Sequence, residues 1–189
     1  MPVKSMILLG LALACALAKA EVQEAVSYIR YPVRHQAAGS LLQAINAASP
    51  IGEGGRKYHG HTQWDIRWKY TYDKLDDLRS CKVKTVTVML KIAITLPELS
   101  SDDDRAVAQF KTYLPALEKH EFGHVQIARD AARKVEQGLL AQAAMPSCEA
   151  LKSTMNEKGM LVLEEAKILN AQYDAQTQHG KTQGAFLPR

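Results

Sequence analysis

The sequence predicts an α+β fold, a small antiparallel β-sheet packed against two long helices. Two neighbouring runs, Gln63–Tyr70 and Cys81–Leu96, alternate apolar and polar residues with period two. From Ser101 onward the apolar residues instead recur at helical spacing, and this pattern is broken once, at "AMPS" (Ala144–Ser147). Strands first and helices afterwards is the order of a segregated α+β domain.

The chain has 189 residues, and its start is expected to be removed. Lys4 precedes the apolar run "MILLGLALACALA", Met6–Ala18, and "AKA" ends at Ala20. A positive start, a short apolar core and a small-x-small site describe a secretory signal peptide over residues 1–20. "LALAC", ending at Cys15, is only a faint lipoprotein site, because Ala12 stands where such sites carry leucine. Cleavage after Ala20 leaves a single domain, residues 21–189, long enough for a core of its own. No other apolar run has membrane length, so no stable membrane insertion is expected after cleavage. Lys4 and Lys19 leave with the signal, taking the formal charge from +4 to +2. So weak a charge argues against a nucleic-acid partner. Cys15 leaves too, and the remaining Cys81 and Cys148 are expected to pair in an oxidising compartment, periplasmic or extracellular.

"YIRYPV", Tyr28–Val33, reads as a short strand edged by Pro32. Leu41, Leu42 and Ile45 then fit a short helix closed by Pro50, and "IGEGGRK" a glycine-rich turn. In "QWDIRWKY", Trp64, Ile66, Trp68 and Tyr70 share one face, with Asp65, Arg67 and Lys69 on the other. This alternation explains the tryptophans as core residues. The second run places Val86, Val88, Leu90, Ile92, Ile94 and Leu96 on one face, and Pro97 is expected to end it. The two runs predict an antiparallel pair lying on the core. "SDDD" from Ser101 supplies N-cap and first-turn acids for a helix to about Gln142, with Pro115 as a kink or fresh start. Ser147 caps a second helix to about Gln176, before Gly180.

The first long helix carries "LEKHEFGHVQIARDAARK", Leu117–Lys134. Four residues apart on a helix, His120 and His124 lie on one face and can converge on one metal ion. Glu121 is offset around the helix, suited to hold a water without coordinating the metal, the arrangement of His-Glu-x-x-His zinc peptidases. Zinc in such a site lowers the pKa of its water and polarises the scissile carbonyl, and the glutamate moves the proton. A catalytic site needs a third protein ligand. The extended metzincin pattern is absent, because Ile127 and Asp130 stand where its glycine and third histidine belong. The remaining histidines are His35, His59, His61 and His179, of which His35 has no partner in sequence and gets no role, and the third ligand is left open among His179, Asp174, Glu164 and Glu165. Folding the two helices into a hairpin about "AMPS" puts Glu164 and Glu165 roughly opposite the two histidines. His59 and His61, in "HGH", form a second conceivable metal pair, although Gly60 and Thr62 lead straight into the Trp-rich strand.

"YDAQTQHG", Tyr173–Gly180, gathers a phenol, a carboxylate, a hydroxyl and an imidazole at a helix end. With "HGHTQWDIRWKY" and "HEFGHVQIA" in this order after a signal peptide, it resembles the domain of unknown function 922 family, bacterial predicted secreted zinc-dependent proteases. The resemblance covers essentially the whole mature chain. It implies zinc on His120 and His124 and a glutamate base at Glu121. By position in the family's last block, it implies His179 as the third ligand.

The resulting expectation is a periplasmic or secreted zinc metallopeptidase of zincin-like fold, acting on a protein or peptide. Glu121 would be its general base, and Tyr173, if directed inward, would steady the oxyanion. The alternative is a non-catalytic exported domain in which zinc only braces the helices.

Overall fold

The computed structural model of the protein describes residues 19–36, 39–75 and 79–188. The expected signal peptide, including Cys15, lies outside the described residues except for Lys19 and Ala20. Those two already belong to β1 (Lys19–Arg34). α1 (Leu41–Ala48) follows, then a two-stranded ribbon of β2 (Gly52–Glu53) and β3 (Arg56–Lys57). β4 (His61–Lys74), β5 (Cys81–Ser100), α2 (Asp104–Leu140) and α3 (Cys148–Thr177) complete the order, with a short 3-10 turn at Lys181–Gln183. Among the described residues the result is a mixed α+β structure with a three-stranded main sheet, ordered β1-β5-β4, and three α-helices.

β4 and β5 pair antiparallel as their alternation predicts, with Trp64 opposite Ile92 and Trp68 opposite Val88. The expectation of an antiparallel sheet is corrected at the other edge, where β1 runs parallel to β5 from Lys19↔Thr85 to Arg34↔Ser100. A parallel pair requires a long crossover, and here it contains α1, the ribbon and β4. β1 also extends well before "YIRYPV". Its first half is exposed almost throughout, so no apolar alternation marks it in the sequence.

Nor does Pro97 end β5, which continues to Ser100. β4 reaches only as far as Thr95, so beyond it β5 has a strand on one side alone, where a missing N–H is tolerated. The inward face of β5, Val86 to Leu96, packs with Ile66 of β4 and with Val125, Ala128, Ala132 and Val135 of α2. Asp103 caps α2 by accepting from the Arg105 amide, and Ser147 caps α3 by accepting from Ala150. α2 passes through Pro115 unbroken.

Cys81 and Cys148 form the expected disulfide, joining the start of β5 to the start of α3. Met145 also makes a two-way backbone bridge with Cys81, so the connection between the helices is drawn to the foot of β5. Such a cross-link typically stabilises a fold by roughly 2–4 kcal/mol. Among the described residues, no helix is long and apolar enough to cross a membrane.

Candidate metal centre

α2 carries His120, Glu121 and His124, all buried. One residue of rotation turns Glu121 away from the histidines and towards β4, where Thr62 Oγ1 donates to its Oε2 at 2.7 Å. The histidines face α3, whose Asn170, Tyr173, Asp174 and Thr177 stand at i, i+3, i+4 and i+7 on one face. Two glycines allow the close approach. A Cβ at Gly123 would lie 2.1 Å from the Tyr173 hydroxyl, and one at Gly60 would lie 2.4 Å from Glu121 Oε1.

His120 Nε2 and His124 Nε2 each lie 3.1 Å from the same oxygen, Asp174 Oδ1. Among the described residues these three form the set whose donor atoms converge, all within 4.8 Å of one another. The opposite ring nitrogens are held by amide oxygens, His120 Nδ1 by Gln183 Oε1 at 3.1 Å and His124 Nδ1 by Asn170 Oδ1 at 2.6 Å. Both amides are themselves oriented, because Asn170 Nδ2 donates to the Ala166 carbonyl and Gln183 Nε2 donates to the Tyr173 hydroxyl. A carbonyl oxygen can only accept, so each Nδ1 carries the hydrogen. In the neutral ring each Nε2 is then a lone pair aimed at a carboxylate. Two lone pairs and an anion facing one point make a donor set for a cation, and two imidazoles with one carboxylate suit zinc.

A proton on a ring Nε2 competes with a cation for this position, and the electrostatics of the protein alone describe that protonated state. Burial alone would raise the Asp174 pKa, but hydrogen bonds from His120 and His124 and the charges of His124 and His179 hold it well below the usual carboxylate range. Burial would lower that of His124, yet its bonds to Asp174 and Asn170 and the nearby charges of Asp174 and Glu121 keep it raised. Glu121 is raised, chiefly by burial, against the Thr62 hydrogen bond and the charges of His124, His120 and His61. A carboxylate lifted in this way holds a proton more readily than a free one, the direction a general base needs.

His179 lies beside this set rather than inside it. It is exposed, with Nδ1 3.4 Å from Asp174 Oδ1 and its ring 5.0 Å from that of Tyr58. Its backbone is left-handed (φ 53°), as is that of Gln178, in the turn that ends α3. The Tyr173 ring stacks on His120, and its hydroxyl donates to the His120 carbonyl and accepts from Gln183. It braces the histidine helix and has no free hydroxyl facing the donor set. Glu164 and Glu165 are exposed and paired with Lys167 and Lys134. His35 is tied to Ser101 and Gly39, and His59 to Tyr113 and Asn46. His61 is exposed at the start of β4.

The family comparison bears on this site. A family model described as "Bacterial protein of unknown function (DUF922)" matches residues 28–180. The chain belongs to this family. No curated protein and no solved structure matches the chain. The DUF922 span contains all three sequence blocks and ends at Gly180, so it includes every member of the donor set while leaving out Gln183. Its description assigns no chemistry, which rests on the geometry alone.

Asn170 and Gln183 are the positioning residues that sequence reasoning missed. Neither type ligates zinc commonly, and only the fold shows that each faces an Nδ1.

Proposed function

We propose that this DUF922 protein is an exported zinc metallopeptidase of zincin-like arrangement. His120, His124 and Asp174 would hold the metal, and Glu121 would be the general base. The observation that carries this reading is the convergence of two Nε2 lone pairs on Asp174 while both Nδ1 atoms are spoken for. Bound zinc would supply Lewis-acid polarisation and a water acidic enough to react near neutral pH. Glu121 takes the proton on Oε1, because Oε2 is engaged by Thr62. Burial of the carboxyl then favours keeping that proton until a leaving amine needs it. A peptide is supported as substrate by the start of β4, an edge strand whose Thr62 bonds Glu121 and whose backbone there, ahead of the charged stretch Asp65–Lys69, is open to pair with an extended chain. Export is supported by the residues before Glu21 and by the Cys81–Cys148 disulfide.

The test is Glu121→Gln in the mature chain with a peptide-library substrate. Zinc content is expected to be unchanged and hydrolysis to fall by about 10²–10⁴-fold. Undiminished hydrolysis with full zinc would sink the mechanism. The proximity of His179 to Asp174 favours a second reading, a closed four-ligand site that only braces the helices. In that case His179→Ala loses zinc and stability, and no variant changes hydrolysis because there is none.

A further inference from the structure

β1 and β4 are both edges of the main sheet, and they are treated differently. β4 places Asp65, Arg67 and Lys69 along its open face, the kind of charged edge that resists strand pairing. β1 is exposed across Gln23–Arg30, yet it carries Val26, Tyr28 and Ile29, which are 39%, 58% and 51% exposed. Its charges are already neutralised by α2, since Arg30 pairs with Glu118 and Glu24 with Arg129. Phe122, 50% exposed, sits on α2 between those two ion pairs, with the Arg129 guanidinium 5.4 Å from its ring centre. The flank is thus an apolar patch of Val26, Tyr28 and Phe122 bracketed by two ion pairs, beside unpaired backbone.

The segment Glu24-Ala25-Val26-Ser27-Tyr28-Ile29-Arg30 is complementary to itself when reversed. Two copies paired antiparallel about Ser27 place Glu24 opposite Arg30, Ala25 opposite Ile29 and Val26 opposite Tyr28. Directly opposed residues in an antiparallel pair share a face. So Val26, Tyr28 and Phe122 of both copies would close over one another, and the two ion pairs at each end would merge into a four-charge cluster. Aromatic with β-branched and acid with base are the pairs that stabilise such a contact.

We propose that β1 is the docking surface for a second copy of this chain, joining two three-stranded sheets into one continuous sheet across a two-fold axis at Ser27. The site at α2–α3 faces away from this edge and is left open in both copies.

Sedimentation of the mature chain tests this. A monomer–dimer equilibrium with Kd on the order of micromolar is expected. Val26→Lys with Tyr28→Lys changes only exposed side chains and is expected to raise that Kd by about tenfold or more. Ser27→Cys supplies an independent readout. Opposed residues stand about 4.5–5.5 Å apart, within disulfide reach, so mild oxidation is expected to give a covalent dimer. Gln63→Cys on β4 is expected to give none. A chain that stays monomeric at every concentration, with the Ser27→Cys thiol free, overturns the proposal. So does a dimer that the double lysine variant leaves intact.

Discussion

His59, half-buried, and the buried pair His120–His124 are histidines tied into one fold in opposite ways. His59 receives the Tyr113 hydroxyl at Nδ1 (2.6 Å) and meets Asn46 Oδ1 at Nε2 (2.8 Å), so both nitrogens are used by neutral partners. Burial alone pushes its pKa down to about 4. His120 and His124 use one nitrogen each on an oriented amide and leave the other facing Asp174. The difference teaches that burial does not make a histidine a ligand. A nitrogen aimed where another donor also aims makes it a candidate.

The amides supply the largest contrast to break. Asn170→Ala and Gln183→Ala each free a ligand ring to turn, and isothermal titration is expected to show zinc affinity down by about 10–100-fold. Asn46→Ala frees His59 in the same way and is expected to leave zinc affinity unchanged. Equal losses in all three would erase the distinction.

Stability sharpens it from the other side. His59→Ala leaves the Tyr113 hydroxyl and the Asn46 amide short of a partner, which costs about 1–3 kcal/mol per buried group. Urea unfolding of this variant is expected to show a loss of that order with zinc binding retained.

The smallest effect is one of pH. The His59 pKa is about 4 folded against 6.5 unfolded, so between those values the unfolded chain binds a proton that the fold refuses. Stability present above pH 6.5 is therefore lost as the pH falls towards 4. In metal-free protein His59→Gln is expected to unfold with a shallower pH dependence across that window. An identical slope would mean that His59 is not held neutral.

The sequence made some of this legible and hid the rest for identifiable reasons. The β4 and β5 faces, the caps Asp103 and Ser147, and the helix bearing His120, Glu121 and His124 follow from short-range patterns, and the structure contains them. The parallel placement of β1 does not, because an exposed strand has no face to mark. The α3 donor, Asp174, is only one of several open choices in the sequence, because short-range pattern does not fix the register between two helices. A hairpin folded evenly about "AMPS" sets residues 167–171 opposite His124 and His120, so Glu164 and Glu165 fall short of the histidines even in the simplest hairpin. The connection instead detours to Cys81, through the Met145 bridge and the Cys148 disulfide, before α3 returns. Lys134 then meets Glu165, while His124 meets Asn170 and Asp174. His179 is implied by its position in the family's last block, but the left-handed turn after Thr177 leaves it exposed beside Asp174.

Zinc content of the purified mature chain, measured by mass spectrometry after dialysis, tests the central claim most directly. One zinc per chain is predicted for the natural sequence and for His59→Gln, and none for His120→Ala, His124→Ala or Asp174→Ala. No stoichiometric zinc in the natural protein, or full zinc in Asp174→Ala, would contradict it.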